Sequence, residues 1–428
     1  METVVTMAYG RRGLDVSLPA EVVPTLITKA AGTPLVDPAA AVGRALAEPV
    51  DAATLAALAA GRRSACIVVC DITRPVPNGV FLRPMIEIML AAGIALEQIT
   101  ILVATGLHRP SGRDDLAEIV GDPWVLANVR VLDHDARASS ELVDLGRTRT
   151  RGTPVAINRL FVDAELRIVT GLVEPHFMAG WSGGRKVIAP GIAGQETIRT
   201  FHSYRFMADP AATQCRLVGN PLHEEQLEIA AMVGEVYAVN TIIDEDRRLL
   251  FVNFGEVRAS HLDAVRRAEE LSKVPVEQSF STVLTSAAGY PLDKTYYQTV
   301  KAMVTPLGIL RPGGTLIVVS ECSEGFGSAE YADAQRRLGS RGIDGFLAEL
   351  AGKRLADIDE WQTQMQLRSQ VIADVQLFTG GLDGPERAAT GVEVIDDVSV
   401  ALSRAVARHG DPHVAVIPEG PYLVPVIG

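Results

Sequence analysis

Ala65-Cys66-Ile67-Val68-Val69-Cys70-Asp71-Ile72-Thr73-Arg74-Pro75 passes abruptly from an unbroken apolar run into a charged, turn-forming end. An apolar run of this length without alternation reads as a strand covered on both faces, as in parallel sheets flanked by helices. The neighbouring segments repeat the theme. ITILVATG (99–106), VRVLDHD (129–135) and LRIVTGLVE (166–174) read as further strands. FLRPMIEIMLAAG (81–93) and SGRDDLAEIVG (111–121) read as helices, the first closing on a glycine. This β-α-β-α rhythm predicts an α/β fold with a mainly parallel sheet.

The amphipathic stretch HLDAVRRAEELSKV (261–274) gives way to a new buried strand, STVLTSAAG (281–289). Strands at 314–320, 374–378 and 413–417, with a helix-rich stretch at 328–372, predict a second α/β unit. The expected division is therefore 1–270 and 271–428, with the tail EGPYLVPVIG free to return to the first domain. A chain of 428 residues is long enough for two or three cores.

Composition narrows the function. The chain is 47% hydrophobic and 21% charged with a formal charge of −12, which argues against nucleic acid or anionic membrane as a partner. Cys66, Cys70, Cys215 and Cys322 form no C-x-x-C pair, and read as buried reduced thiols. No signal peptide and no membrane-length apolar run is visible, so the expected location is the cytoplasm.

Ligands of open parallel sheets bind beyond the carboxyl ends of the strands. Three first-domain strands end there in reactive groups: Asp71, Thr73 and Arg74; His108; and His176. Singly, each has a plainer explanation as a cap, a surface arginine or a loop histidine. Together on one rim they point to catalysis. The segment Gly180-Trp181-Ser182-Gly183-Gly184-Arg185-Lys186 follows. Its glycines let backbone N–H groups approach an anion, yet it lacks the P-loop pattern, and no G-x-G-x-x-G follows a strand. In the second domain, Tyr297, Gln298 and Lys301 share a helical region after a strand and suit a carboxylate.

These strings, DITRPVPN, ATGLHRP, EPHFMAGWSGGRKVIAPGIAG, the His202 segment and GYPLDKTYYQTVKA, resemble the LarA-type, nickel-dependent lactate racemase family. They fall in the family's order from about residue 71 to Trp361. The resemblance implies a nickel pincer nucleotide attached through a thioamide to Lys186, with His202 as the remaining nickel ligand. It implies His108 and His176 as the acid–base pair. Asp71, Thr73, Gly183, Gly184 and Arg185 are expected around the cofactor. Arg74, Tyr297, Gln298, Lys301 and Trp361 are expected around the substrate, in a cleft between the domains. Proteins that build the cofactor are implied partners. Phe201 departs from the polar residue expected before the nickel histidine.

The implied reaction is inversion at C2 of a 2-hydroxy acid, lactate or a larger 2-hydroxy or sugar acid, through a 2-keto acid. Imidazoles suit the proton steps near neutrality. An NAD-dependent 2-hydroxy acid dehydrogenase would need the missing dinucleotide fingerprint. A zinc hydrolase would need a tighter cluster than His223-Glu224-Glu225. A nickel-nucleotide carrier without turnover would need neither His108 nor His176.

Overall fold

Ala65–Cys70 is a central strand, buried along nearly its whole length, as its unbroken apolar run requires. It pairs in parallel with Ile99–Ala104 on one side and Leu166–Leu172 on the other. The computed structural model describes residues 3–29 and 31–428. The chain divides into two compact units.

The first unit comprises Ala31–Phe201 and Asp209–Leu271. Its six-stranded sheet runs in the order Leu249–Glu256, Tyr237–Ile243, Leu166–Leu172, Ala65–Cys70, Ile99–Ala104, Arg130–Asp133. Only the hairpin between Tyr237–Ile243 and Leu249–Glu256 is antiparallel; the other pairings are parallel. Ile67, Val69, Ile101, Val103 and Ile168 meet Phe81, Leu82, Met85 and Met89 of the helix Asn78–Ala91 in the core. Chain order reverses between Ala65–Cys70 and Leu166–Leu172. That reversal opens a crevice at the carboxyl ends of these two strands, the usual ligand position in such sheets.

The second unit comprises the described residues through Lys29, His202–Ala208 and Ser272–Gly428. Its sheet is wholly parallel, ordered Glu393–Ile395, Ala373–Phe378, Leu310–Val319, Phe280–Ser286, His413–Ile417, Val23–Leu26. The expected division at residue 270 therefore differs from the structure for the start of the chain. Val23–Leu26 completes the edge of this second sheet. The preceding hairpin, Thr3–Met7 with Leu14–Leu18, buries Met7, Val16 and Leu18 against Leu284, Ile317 and Val416. A four-residue strand needs a ladder to join, and here a distant part of the chain provides it. The tail stays in this unit, where Val424–Ile427 pairs with Lys273–Val276. His202–Ala208 also belongs here: Arg368 donates to the Met207 carbonyl at 2.7 Å.

Candidate active site

In the first unit the crevice is lined by the residues that follow its two central strands. Asp71, buried just past Ala65–Cys70, accepts from the Thr73 hydroxyl at 2.6 Å and bonds His108 Nδ1 at 2.7 Å. Burial alone pushes the Asp71 pKa up. The His108 bond and charge, the Thr73 hydroxyl and the Arg74 charge outweigh burial and hold the carboxylate below its usual range. An ionised Asp71 keeps the His108 proton on Nδ1, which makes Nε2 the unprotonated nitrogen of the neutral ring. His108 itself is exposed, on a turn in which Gly106 N donates to the Gly191 carbonyl at 2.9 Å. That bond ties the His108 turn to the end of the lysine segment.

His176 has the opposite ring polarity. It lies in a two-residue strand, Pro175–His176, paired with Gly180–Trp181. Its Nδ1 accepts from the backbone N–H of Ala179 at 3.2 Å and of Met178 at 3.4 Å. With Nδ1 as acceptor, the neutral ring carries its proton on Nε2. The hydrogen-bond pattern thus assigns the two neutral tautomers: His108 is protonated on Nδ1 and His176 on Nε2.

The lysine segment lies flat on the strand end. A Cβ at Gly171 would stand 2.9 Å from Gly183 Cα, so neither residue has room for a side chain. Gly183 and Gly184 adopt φ of +75° and +50°, a region that L side chains avoid. Lys186 is half-buried at the start of a one-turn helix, Arg185–Ile188. Its ammonium is near enough to influence the Cys70 thiol, as are Asp71 and Arg74, although burial dominates and pushes that thiol up to about 12. Cys70 therefore stays protonated at neutral pH; it and Cys215 are only partly buried, unlike the expectation, while Cys66 and Cys322 are buried.

Two expected residues have partners that the sequence did not reveal. Arg74 forms an ion pair with Glu174. Glu174 is tied in turn to the glycine segment, its backbone N–H donating to Ser182 Oγ at 3.0 Å. A guanidinium has five N–H donors, so this pairing does not use them all. Arg185, expected at the cofactor, instead turns inward and is 1% exposed. Burial lowers its pKa to about 9, so it remains charged at neutrality. A one-turn helix presents successive side chains about 100° apart, so the buried Arg185 and the half-buried Lys186 point in different directions.

The remaining expected residues lie in the second unit. Thr295 caps the helix Tyr296–Val304, which carries Tyr297, Gln298 and Lys301. The Tyr297 side chain is hydrogen-bonded to Trp361 and Asp359; burial foremost, then the Asp359 charge, raises its pKa. Gln362 Nε2 donates to the Tyr297 carbonyl at 2.7 Å. The Trp361 ring lies 4.7 Å from that of His202. Trp361, His202 and Tyr297 thus form one aromatic cluster, although they come from three separate stretches of sequence. Phe201, before His202, is fully buried. Sequence reasoning missed Glu174 in the first unit and Asp359 and Gln362 in the second. Glu174 alone had a signal, its place beside Pro175-His176 at a strand end.

The sequence matches the profile of the lactate racemase N-terminal domain over residues 9–214 and of the lactate racemase C-terminal domain over residues 276–426. It is 30% identical over 429 residues to the lactate racemase of Thermoanaerobacterium thermosaccharolyticum, covering 97% of each chain. It is 31% identical over 388 residues to the lactate racemase of Lactiplantibacillus plantarum, covering 89% of each. The solved lactate racemase apoprotein from T. thermosaccharolyticum has the same fold, with a TM-score of 0.89 at 27% identity over 99% of this chain and 100% of that one. A Thermotoga maritima protein shares the fold more loosely, with a TM-score of 0.65 at 17% identity over 87% and 96%. Two α/β units with parallel sheets, a glycine-lined lysine segment and full-length similarity agree: this chain belongs to the lactate racemase family, a family of isomerases.

Proposed function

We propose that the protein inverts C2 of a 2-hydroxy acid, lactate or a larger 2-hydroxy or sugar acid, using a nickel pincer nucleotide tethered at Lys186. The observation that carries this reading is the pair of histidines with opposite ring polarity beside the lysine segment. Inversion by hydride removal and return needs a group to take the hydroxyl proton and a group to give one back. His108 Nε2 suits the first; His176 Nε2 would supply the second from a protonated, imidazolium ring, since a neutral imidazole that gave up its N–H would be left as imidazolate.

The residues suit such a cofactor. Gly171, Gly183 and Gly184 let the lysine segment pack directly on the strand end and on His261, which fixes the backbone that carries Lys186. Among the described residues, no three His, Cys, Asp or Glu side chains gather as a metal site. His202 would hold the nickel of a cofactor that brings the metal's other ligands with it. When bound, the cofactor supplies the acceptor and donor of hydride.

The chain's own residues do the rest. Lys186 would hold the cofactor covalently, and His202 would hold its nickel. Asp71 keeps the His108 tautomer fixed while the imidazole takes the hydroxyl proton, and loss of hydride then leaves a 2-keto acid. Arg74, oriented by Glu174, is assigned to the substrate carboxylate, where two parallel hydrogen bonds would fix its plane. Tyr297, Gln298, Lys301 and Trp361 are assigned to the remainder of the substrate. Asp71, Thr73, Gly183 and Gly184 are assigned to the cofactor's surroundings; Arg185 acts only through the loop. All four cysteines are free, and no described helix is long and apolar enough to cross a membrane. We place the enzyme in the cytoplasm, where reduced thiols persist.

The test is the intact mass of protein made in a host that also makes the cofactor, followed by stereochemical exchange assays on a panel of 2-hydroxy acids. A covalent adduct absent from Lys186→Ala, with exchange lost in His108→Ala and His176→Ala, supports the reading. Exchange that survives both histidine substitutions would rule out the acid–base assignment.

A further inference from the structure

The helix that carries Lys186 is a single turn, and no side chain caps its start. One turn does not hold itself in water. Its support comes from beneath. The Arg185 guanidinium donates to the Ala179 carbonyl at 2.8 Å, with His261 Nε2 at 3.0 Å and the Gly183 carbonyl at 3.4 Å. His261 Nε2 is also 2.8 Å from the Ser182 carbonyl. The same ring packs against Gly184, where a Cβ would meet three ring-side atoms of His261 at 2.8–2.9 Å. One buried imidazole thus touches Ser182, Gly184 and Arg185, all within the four residues that precede Lys186.

His261 is itself well anchored. It lies on the helix Val257–Ser272, whose Ala264, Val265 and Ala268 pack on Trp181 in the core. Burial, aided by the Arg185 charge, pushes its pKa well below the ordinary histidine value, so the ring is neutral. A neutral Nε2 either accepts from Arg185 or donates to Ser182, and both arrangements hold the segment. None of the steps proposed above uses this residue.

We propose that His261 is a positioning residue for Lys186: it locks the Ser182–Arg185 segment from below and so sets where the lysine amine stands. Its functional consequence rests on the tether reading of Lys186. Its structural content does not, and the two can be tested apart.

The experiment uses trace acetylation of the cofactor-free protein with acetic anhydride, with peptide mass spectrometry to compare Lys186 with Lys273 and Lys353. Intact mass after cofactor production gives the loaded fraction. In His261→Leu, Lys186 labelling rises about tenfold relative to the other two lysines as the amine leaves its half-buried place, and the loaded fraction falls by a similar factor. His261→Gln, whose carboxamide reaches the Nε2 position, restores both. A role in stability alone would lower the denaturation midpoint without changing the labelling ratio or distinguishing Gln from Leu. If His261→Leu does not fold, His261→Asn, one methylene too short, replaces it in the comparison with His261→Gln. A labelling ratio equal to wild type overturns the proposal. If the wild type takes no adduct while Lys186 labelling still follows residue 261, the positioning role stands and the tether reading falls.

Discussion

Replacing Gly183 with alanine adds one methyl group where the structure has no room for it. Gly183 has a φ of +75°, and the new Cβ would lie 2.8 Å from Val173 Cγ2 and 3.2 Å from the Leu172 carbonyl oxygen. The left-handed backbone alone costs an L residue about 1–2 kcal/mol. Forcing Val173 and the strand end aside adds about 1–3 kcal/mol, as overpacking of a tight interior does. The expected loss is therefore about 2–5 kcal/mol, a large share of the roughly 5–15 kcal/mol that holds a typical domain folded. Gly152 is the internal control, because it has a similar φ of +68° but nothing within 4 Å of its added Cβ. Gly152→Ala carries the backbone cost without the contact. Urea unfolding followed by circular dichroism compares the two, with midpoints preferred to extrapolated energies because the chain has two units. Gly183→Ala unfolds at clearly lower urea than Gly152→Ala. Equal midpoints would refute the close approach of the lysine segment to the strand end.

Three further outcomes follow from the same geometry. Asp71→Asn removes an ionised acceptor from His108; a hydrogen bond to a charged group contributes roughly 1.5–3 kcal/mol, so kcat drops about 10- to 150-fold with little change in KM. Steady-state racemisation in both directions checks this, and an unchanged kcat contradicts the tautomer assignment. Burial holds the pKa of His223 (about 3), His261 and His134 below the ordinary value. The unfolded chain binds these protons below about pH 6.5 and the folded chain does not, so stability falls as pH drops from there toward each folded pKa, by up to about 1.4 kcal/mol per pH unit per histidine. Urea midpoints between pH 7.5 and 5 measure that slope, and His223→Leu makes it shallower; an unchanged slope removes His223 from the account. Phe201→Asn places a carboxamide in a fully buried aromatic site and lowers the melting temperature, at a cost of about 3–5 kcal/mol. A melting temperature equal to wild type shows that Phe201 is not the packed core residue described here.

Much of the protein was legible from local pattern. Unbroken apolar runs such as Ala65–Cys70 marked buried parallel strands, because a strand between two helical layers has no polar face. Ionisable side chains follow the ends of those runs, at Asp71, His108 and His176, because parallel strands deliver their carboxyl ends to one edge. Gly183 and Gly184 read as a backbone open to an anion, whereas the structure uses them for close packing on the strand end and on His261. These signals are short in range, and a sequence records them directly.

What only the tertiary structure decided involves residues far apart in the chain. Nothing in Val23–Leu26 says that its ladder partner is His413–Ile417, and nothing near His202 says that its segment joins the second unit or that Trp361 lies against its ring. Arg185 and Lys186 are alike in charge and adjacent in sequence, yet one is buried under the loop and the other is half-exposed. The rotation of a single helical turn separates them, and that rotation is set by what packs beneath it, His261 on a helix more than seventy residues later. Hydrophobic periodicity fixes which elements form, but the partners of a buried charge are chosen by contacts that exist only once the chain has closed on itself.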